Sequence, residues 1–359
     1  MKNKVLFIIP SLAGGGAERV FVNIVNTIDK SIFDVTLVCL STERNVYEVS
    51  SDVRVINLKS KRVRNATLKI LRLIRKERPS LVVSTLGHLN SMLLMLKLFF
   101  PKNTKLIIRQ TNIMSFNRGK NTLIRKKAGN KLYKNADMIV CQSKFMKDDF
   151  INITGVKSSN VIKIYNPVDL DSMLIKSNED IKYEFNEGQI NIFFAGRLEE
   201  VKRIPLIIDA FQNFREKNHY SKLYILGEGP KKSELMNYTV KKKLSHSVEF
   251  LGFQQNPYKW LKHADLFIMA SKHEGMPNVL IEAIALGIPV LVLKHPGGTI
   301  DILRTLNIED RFVNNLVIDK NSFDAYDKRV LSILKANFGV EIVVKQYEDL
   351  FKSVIQIGE

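Results

Sequence analysis

Apolar residues over the first 165 positions fall into short β-branched runs, separated by longer stretches in which they recur every three or four residues. The runs predict strands near 5–9, 35–40, 53–58, 81–86, 105–110, 138–142 and 161–165. Amphipathic helices lie between them. In the clearest, Ala17, Val20, Phe21, Ile24, Val25 and Ile28 share one apolar face. Strands alternating with helices predict a parallel sheet covered on both sides. From Tyr165 to Gly188 a proline and a run of polar and acidic residues break the pattern, which reads as a linker. The pattern then restarts, with strands near 190–195, 222–226, 247–251, 266–270 and 289–293.

A chain of 359 residues exceeds what one core organises. The expected plan is an α/β domain over 1–168, a linker over 169–188 and a second Rossmann-like domain over 189–339. A last helix over 340–359 could cross back to the first domain. Open parallel sheets of this kind bind ligands beyond the carboxyl ends of their strands, so two of them are expected to face each other across a cleft.

Three stretches at such strand ends could carry chemistry. In "HEGMPNVLIEA", 273–283, a loop follows a strand and leads into a helix, with Asn278 as the expected N-cap and Gly287 as the C′ residue. Gly275 allows close backbone approach, and the free N–H groups of the first helical turn suit a phosphate or another anion. Glu274 and Glu282 suit the hydroxyls of a sugar or ribose better than a phosphate; the plainer alternative makes them a loop charge and a solvated helical residue. In "FFAGRLEEVKRIPL", Arg197 and Lys202 bracket a turn at Gly196, where two cations would neutralise a diphosphate. Pairing with Glu199 and Glu200 is the alternative. The glycines of "PSLAGGGAERV" lack GxGxxG spacing, so they give no dinucleotide fingerprint but leave room for a ligand. By spacing alone, Gly227 and Gly229 in "LGEGP" are a strand-ending turn.

Charge adds a partner class. The net charge is +19, and nine cations between Lys59 and Arg78 face one acid, Glu77. Eleven more, from Lys97 to Lys134, occur in a stretch with no acid at all. Nucleic acid, acidic lipid or a phosphorylated substrate would each match. With no zinc-ligand spacing and no RNP-like aromatic run, nucleic acid is disfavoured. The segment "RNATLKILRLIRKER" joins an apolar face to dense positive charge, as in peripheral membrane helices. The run 91–100 is half the ~20 residues of a membrane span and contains Lys97, so no transmembrane helix is expected. The amino terminus lacks the pattern of a signal peptide. Cys39 and Cys141 sit in apolar runs, as buried free thiols in a reducing cytosol would.

Taken together, "SLAGGGAERV", "IYNPVD", "AGRLEEVKR", "LGEGP" and "HEGMPNVLIEAIALGIPVL" resemble, in that order, glycosyltransferase family 4. These are retaining enzymes of GT-B fold with a nucleotide-sugar donor. "GGAERV" with the later "HPGG" is most similar to the branch that extends lipid-linked bacterial surface glycans such as O-antigen and capsule. The resemblance implies that Arg197 and Lys202 bind the donor diphosphate. It implies that Gly275, Met276, Pro277, Asn278 and Val279 present backbone groups, Glu274 the sugar contact and Glu282 the ribose contact. Gly15 and Gly16 would approach the donor phosphates, and the turn at Gly227 and Gly229 would lie beside the nucleotide.

No metal and no cofactor beyond the donor, expected to be UDP-linked, is implied. Many family members carry a histidine near the reacting carbon where this chain has Gln110, flanked by Arg109 and Asn112. His88, at the end of another strand, is the substitute considered. The implied activity is hexosyl transfer to a polyprenyl-diphosphate-linked glycan at the anionic inner face of the cell membrane. A soluble acceptor, or a sugar-nucleotide epimerase of the same fold, is the alternative.

Overall fold

The structure is a computed structural model that describes residues 2–42, 46–116 and 131–356. Arg118, Lys120, Arg125, Lys126 and Lys127, part of the expected basic field, lie outside the described residues. The chain forms two compact units, one of Met1–Val168 with Phe338–Glu359, the other of Asp169–Asn337.

The first unit runs β1 (Asn3–Ile9), α1 (Gly16–Thr27), β2 (Phe33–Cys39), β3 (Arg54–Asn57), α2 (Val63–Glu77), β4 (Leu81–Thr85), α3 (Gly87–Leu96), β5 (Lys105–Gln110), β6 (Met138–Cys141), α4 (Lys144–Thr154) and β7 (Val161–Lys163). Its sheet has the order β3-β2-β1-β4-β5-β6-β7, parallel throughout. Both faces are covered, which is why β1 is apolar at successive positions rather than alternate ones. Val5, Phe7 and Ile9 enter one core with α1, while Leu6 and Ile8 enter the other with α2, α3 and α4. Strand order reverses between β1 and β4. The loop of Gly14 to Gly16 and the turn into α3 that carries His88 therefore leave adjacent strand ends at the switch point, where such sheets bind ligands.

The second unit runs α5 (Leu170–Ser177), β8 (Ile190–Ala195), α6 (Ile204–Arg215), β9 (Ser221–Leu226), α7 (Lys232–Lys241), β10 (Val248–Gly252), α8 (Tyr258–Leu261), β11 (Leu266–Met269), α9 (Asn278–Ala285), β12 (Val290–Leu293), α10 (Thr299–Thr305), β13 (Phe312–Val313) and α11 (Lys328–Phe338). Its parallel sheet has the order β10-β9-β8-β11-β12-β13. The expected linker is not featureless: α5 occupies it, capped by the Asp169 carboxylate on the Ser172 N–H at 3.0 Å. Asn256 donates to the Lys176 carbonyl and to Glu179, fixing the stretch to its own unit.

The last helix, α12 (Val340–Gln356), belongs to the first unit. Val343, Val344, Tyr347 and Phe351 join the core of Phe7 and Phe21, and the Phe351 ring meets Phe7 and Phe33 edge-on at 6.0 and 5.9 Å. Each such buried side chain contributes roughly 2–3 kcal/mol. Chain exit and return run side by side, the Val168 N–H donating to the Phe338 carbonyl at 2.8 Å.

Arg109 on β5 is wholly buried, its guanidinium donating to Asn166 and to the Tyr347 hydroxyl of α12. Cys39 and Cys141 are buried and free, and burial pushes their thiols up to about 11 and about 12. Among the described residues no helix is long and apolar enough to cross a membrane.

Candidate active site

In the second unit the loops leaving β8, β9 and β11 are fastened to one another. After β8, Leu198 donates its N–H to the Glu228 carbonyl, and Gly196 donates to Leu226. A Cβ on Gly227 would lie 1.9 Å from the Gly196 carbonyl oxygen, and one on Gly229 2.4 Å from that of Leu198. These two glycines are thus more than a strand-ending turn: only glycine lets the two loops approach so closely.

The turn that follows reaches the loop after β11. Lys272 donates its N–H to Val201 at 2.7 Å, and the Arg203 guanidinium donates from Nε to the Ala270 carbonyl and from Nη2 to that of Ser271, at 2.5 and 2.6 Å. Arg203 holds a left-handed backbone, φ 48°, and that strain is tolerated because the side chain is fixed at both ends of its fork.

This frame brings Lys202 and Glu274 together. Lys202 Nζ lies 2.5 Å from Glu274 Oε1, and the Ser271 hydroxyl donates to the same oxygen at 2.6 Å. The side chains are 19% and 14% exposed, so the pair is largely removed from water while one edge stays open. Pairing of the two cations with Glu199 and Glu200 was the alternative; for Lys202 it does not hold, and Glu200 pairs with Lys272 at 2.6 Å. Arg197 does meet Glu199, at 3.0 Å, but with its side chain 73% exposed. A pair so open holds by no more than about 1 kcal/mol, so Arg197 can leave it for a ligand.

The Glu274 backbone is gripped from its other side by "HPGG". The Gly298 N–H donates to the Glu274 carbonyl at 2.9 Å, and a Cβ on Gly297, φ 133°, would lie 1.8 Å from that oxygen. Behind it His295 is buried, and burial lowers its pKa. Its Nδ1 lies 2.8 Å from the Leu293 carbonyl, which can only accept, so Nδ1 carries the proton and Nε2 accepts from the Thr299 hydroxyl.

Asn278 is the first residue of α9 and not its cap: Pro277 takes the cap position with an extended backbone. Gly287 has the left-handed φ of 77° expected of a C′ residue. Gly275 opens the turn into Met276 and Pro277, both buried, while Asn278 and Val279 are partly exposed at the helix start. Glu282 is 3% exposed, which overturns the alternative that it is a solvated helical charge.

In the first unit, Gly15 caps α1 and Gly16 begins it. The Tyr47 hydroxyl and the Arg19 N–H donate to the Gly15 carbonyl. Over Gly15 folds the Glu18 carboxylate, whose Oε2 would lie 2.1 Å from a Cβ there. Burial raises the Glu18 pKa, partly offset by its own N–H. His88, the second residue of α3, is exposed, just after the strained Leu86, φ 73°. Gln110 is buried and spends its amide on the Asn112 carbonyl at 2.8 Å and on the Met114 sulfur.

Arg203, His295, Gly297 and Glu18 were not singled out from the sequence. Arg203 acts through contacts distant along the chain and Gly297 through backbone conformation, while Glu18 and His295 make local contacts whose burial depends on tertiary packing. The one available signal, the proline two residues after Arg203, marks a helix start only.

Comparison with known proteins identifies the family. Residues 14–172 match the model of Glycosyltransferase Family 4 and residues 175–350 that of Glycosyl transferases group 1. An N-acetylgalactosaminyltransferase of Campylobacter jejuni, named for a diphospho-undecaprenol-linked acceptor, is 32% identical over 81% of this chain and 80% of its own. A glycosyltransferase of amylovoran biosynthesis from Erwinia amylovora is 22% identical over 97% and 99%. An uncharacterized glycosyltransferase of Methanocaldococcus jannaschii is 34% identical over 68% of this chain, which spans 63% of that relative's length. Among solved structures, Anabaena HepE in complex with UDP-glucose superposes with a TM-score of 0.74 at 16% identity, over 98% of this chain and 99% of that one. The fold is accordingly GT-B, and the chain belongs to the family 4, group 1 glycosyltransferases.

Proposed function

We propose that the protein transfers a hexose, with retention at the anomeric carbon, from a nucleoside-diphosphate sugar to a polyprenyl-diphosphate-linked glycan in bacterial surface polysaccharide synthesis. The observation that carries this reading is the Lys202–Glu274 pair, two fixed opposite charges where Lys202 meets the loop that leads to the start of α9 at Asn278.

A nucleotide sugar offers complementary groups: diphosphate oxygens for Lys202 and Arg197, sugar hydroxyls for Glu274. As the bond from C1 to the diphosphate breaks, negative charge grows on the leaving oxygen. Lys202, Arg197 and the α9 N–H groups stabilise it without any reorientation of solvent. The acceptor oxygen bonds C1 from the same face, and its proton passes to the departing phosphate. Cationic side chains thereby do the neutralisation that a metal ion does elsewhere, and Glu274 keeps a binding role. Glu282, the backbone at Gly275 to Val279 and the turn at Gly227 and Gly229 would line the nucleoside side. Gly15 and Gly16 would approach the donor phosphates, as the family resemblance implies, and His88 is the candidate for the acceptor hydroxyl.

A UDP-linked donor is supported by the neighbour crystallised with UDP-glucose, and a lipid-linked acceptor by the name of the Campylobacter relative. The basic first unit suits peripheral attachment at an anionic inner leaflet. The test is turnover with a nucleotide-sugar donor and an undecaprenyl-diphosphate-linked acceptor. The product is expected in the lipid phase, and Lys202→Met should lower kcat/KM by about 10²- to 10³-fold. Normal turnover of Lys202→Met at saturating donor would remove the diphosphate assignment; a water-soluble product would replace the lipid acceptor.

A further inference from the structure

At the other end of the first unit's strands, away from the loop of Gly15, lies a concavity. A cavity of about 940 Å³ opens between Asn3 at the start of β1, the turn after α2 and the segment leading into β5. Three cations line it, Arg75, Arg78 and Lys102, and none of its lining residues is acidic. The nearby acids are already engaged. Glu77, 13% exposed, is held by Lys4 and Arg54 at 3.5 and 3.1 Å, and Asp137 by Lys97 and Lys105 at 2.7 and 3.8 Å. Among the described residues the three lining cations meet no carboxylate. Arg75 spends only Nε, on the Phe99 carbonyl at 3.1 Å. Its two terminal amines remain available, and Arg78 closes α2 from a left-handed backbone, φ 44°.

Beside these cations stands a short 3-10 turn, Lys97–Phe99, with Leu98 79% and Phe99 55% exposed. Large apolar side chains left in water next to unpaired cations match the interface of an anionic bilayer: the apolar tips enter the acyl boundary while the cations meet phosphate. A soluble phosphate needs the cations but not the apolar tips.

We propose that this cavity binds the phosphate head group of an anionic membrane lipid, with Leu98 and Phe99 entering the leaflet beside it. The proposal rests on the reading that the acceptor is membrane-borne, and it concerns anchoring alone. The seven residues of β1, at about 3.3 Å each, put the cavity roughly 20 Å from the loop of Gly15 and the turn of His88. Its variants therefore leave transfer to a detergent-dispersed acceptor unchanged.

The experiment is co-sedimentation of the full chain with phosphatidylcholine vesicles, with and without phosphatidylglycerol. Wild-type protein partitions onto the anionic vesicles. Arg78→Glu/Lys102→Glu and, separately, Leu98→Ser/Phe99→Ser each lower that partition by about tenfold. The milder Arg78→Gly/Lys102→Ser, glycine suiting the left-handed backbone, serves if the charge reversal unfolds. Wild-type partition in both pairs overturns the proposal. So does loss in the cationic pair alone together with competition by inorganic phosphate, which assigns the cavity to a soluble anion. Normal vesicle binding without transfer to any lipid-linked acceptor leaves the anchor standing and removes the functional reading instead.

Discussion

The two units use the same parallel-sheet plan, yet the loops at their strand ends hold their candidate side chains in different ways. In the second unit the loops after β8, β9, β11 and β12 are tied to one another: Gly227 against Gly196, Arg203 onto the carbonyls of 270 and 271, Gly297 against Glu274. The charges of Lys202 and Glu274 are set by this frame before any ligand arrives. In the first unit the loops after β1 and β2 are also joined, Val46 to Leu12 and Tyr47 to Gly15, but the candidate side chains take no part in such ties: Gln110 bonds within its own turn, Glu18 folds onto its own helix start, and His88 stands exposed. A site that must stabilise growing charge gains from fixed groups. One that admits a bulky glycan gains from open ones.

The sharpest way to break this comparison is to add one methyl group to a loop of each unit. Gly297→Ala puts a Cβ 1.8 Å from a backbone oxygen at a φ of 133°, which only glycine adopts readily. The expected loss is roughly 2–5 kcal/mol of stability, with loss of turnover even where the variant folds. Gly87→Ala, next to His88, meets nothing within 4 Å and has no left-handed backbone. It should be neutral or stabilise by up to about 1 kcal/mol. Denaturant unfolding of both variants measures the difference, and equal effects would mean that the two sets of loops are held alike.

A smaller effect separates the frame from the charges it carries. Arg203→Gly keeps a residue suited to φ 48° while removing both bonds to the loop after β11. Stability should move by less than about 1 kcal/mol, because relief of backbone strain offsets the lost bonds. Turnover should fall by about tenfold, with little change in KM for the acceptor, since Lys202 and Glu274 lose their common reference. Arg203→Lys, which retains charge but not the two-pronged fork, should restore little. Full activity in Arg203→Gly would reduce Arg203 to a local packing residue.

Most of the architecture was legible because a parallel sheet covered on both faces needs continuous apolar runs, and runs such as 5–9 and 105–110 have few other uses. The two-residue β13 is too short to leave a pattern. Helix α5 was hidden by its shortness and by the polar, acidic stretch that follows it, although Asp169 and Ser172 have the spacing of an N-cap. The glycines and charges of the candidate site were visible as residue types at strand ends. Their partners were not: that Lys202 meets Glu274 rather than the neighbouring Glu199 or Glu200 depends on how two loops cross, some 70 positions apart. Pro277 took the cap that Asn278 was expected to hold because its fixed φ suits the extended residue before a helix.

The smallest prediction addresses Glu18, the acid at the less constrained glycine loop. Burial raises its pKa in the folded state, so the native protein favours the protonated form more than the unfolded chain does. Its contribution is fully present below the ordinary carboxylate pKa and is lost as pH rises through the raised one. Glu18→Gln removes the burial penalty but also weakens the bond from the residue's own N–H, so the net gain at pH 7 should stay below about 1 kcal/mol. Tm measured between pH 4 and pH 7 should show the variant ahead at pH 7, with the gap closing towards pH 4. A gap that instead widens on acidification would mean that the carboxylate at this loop is held ionised, as a helix N-terminus favours, and that the first unit also presents a fixed charge.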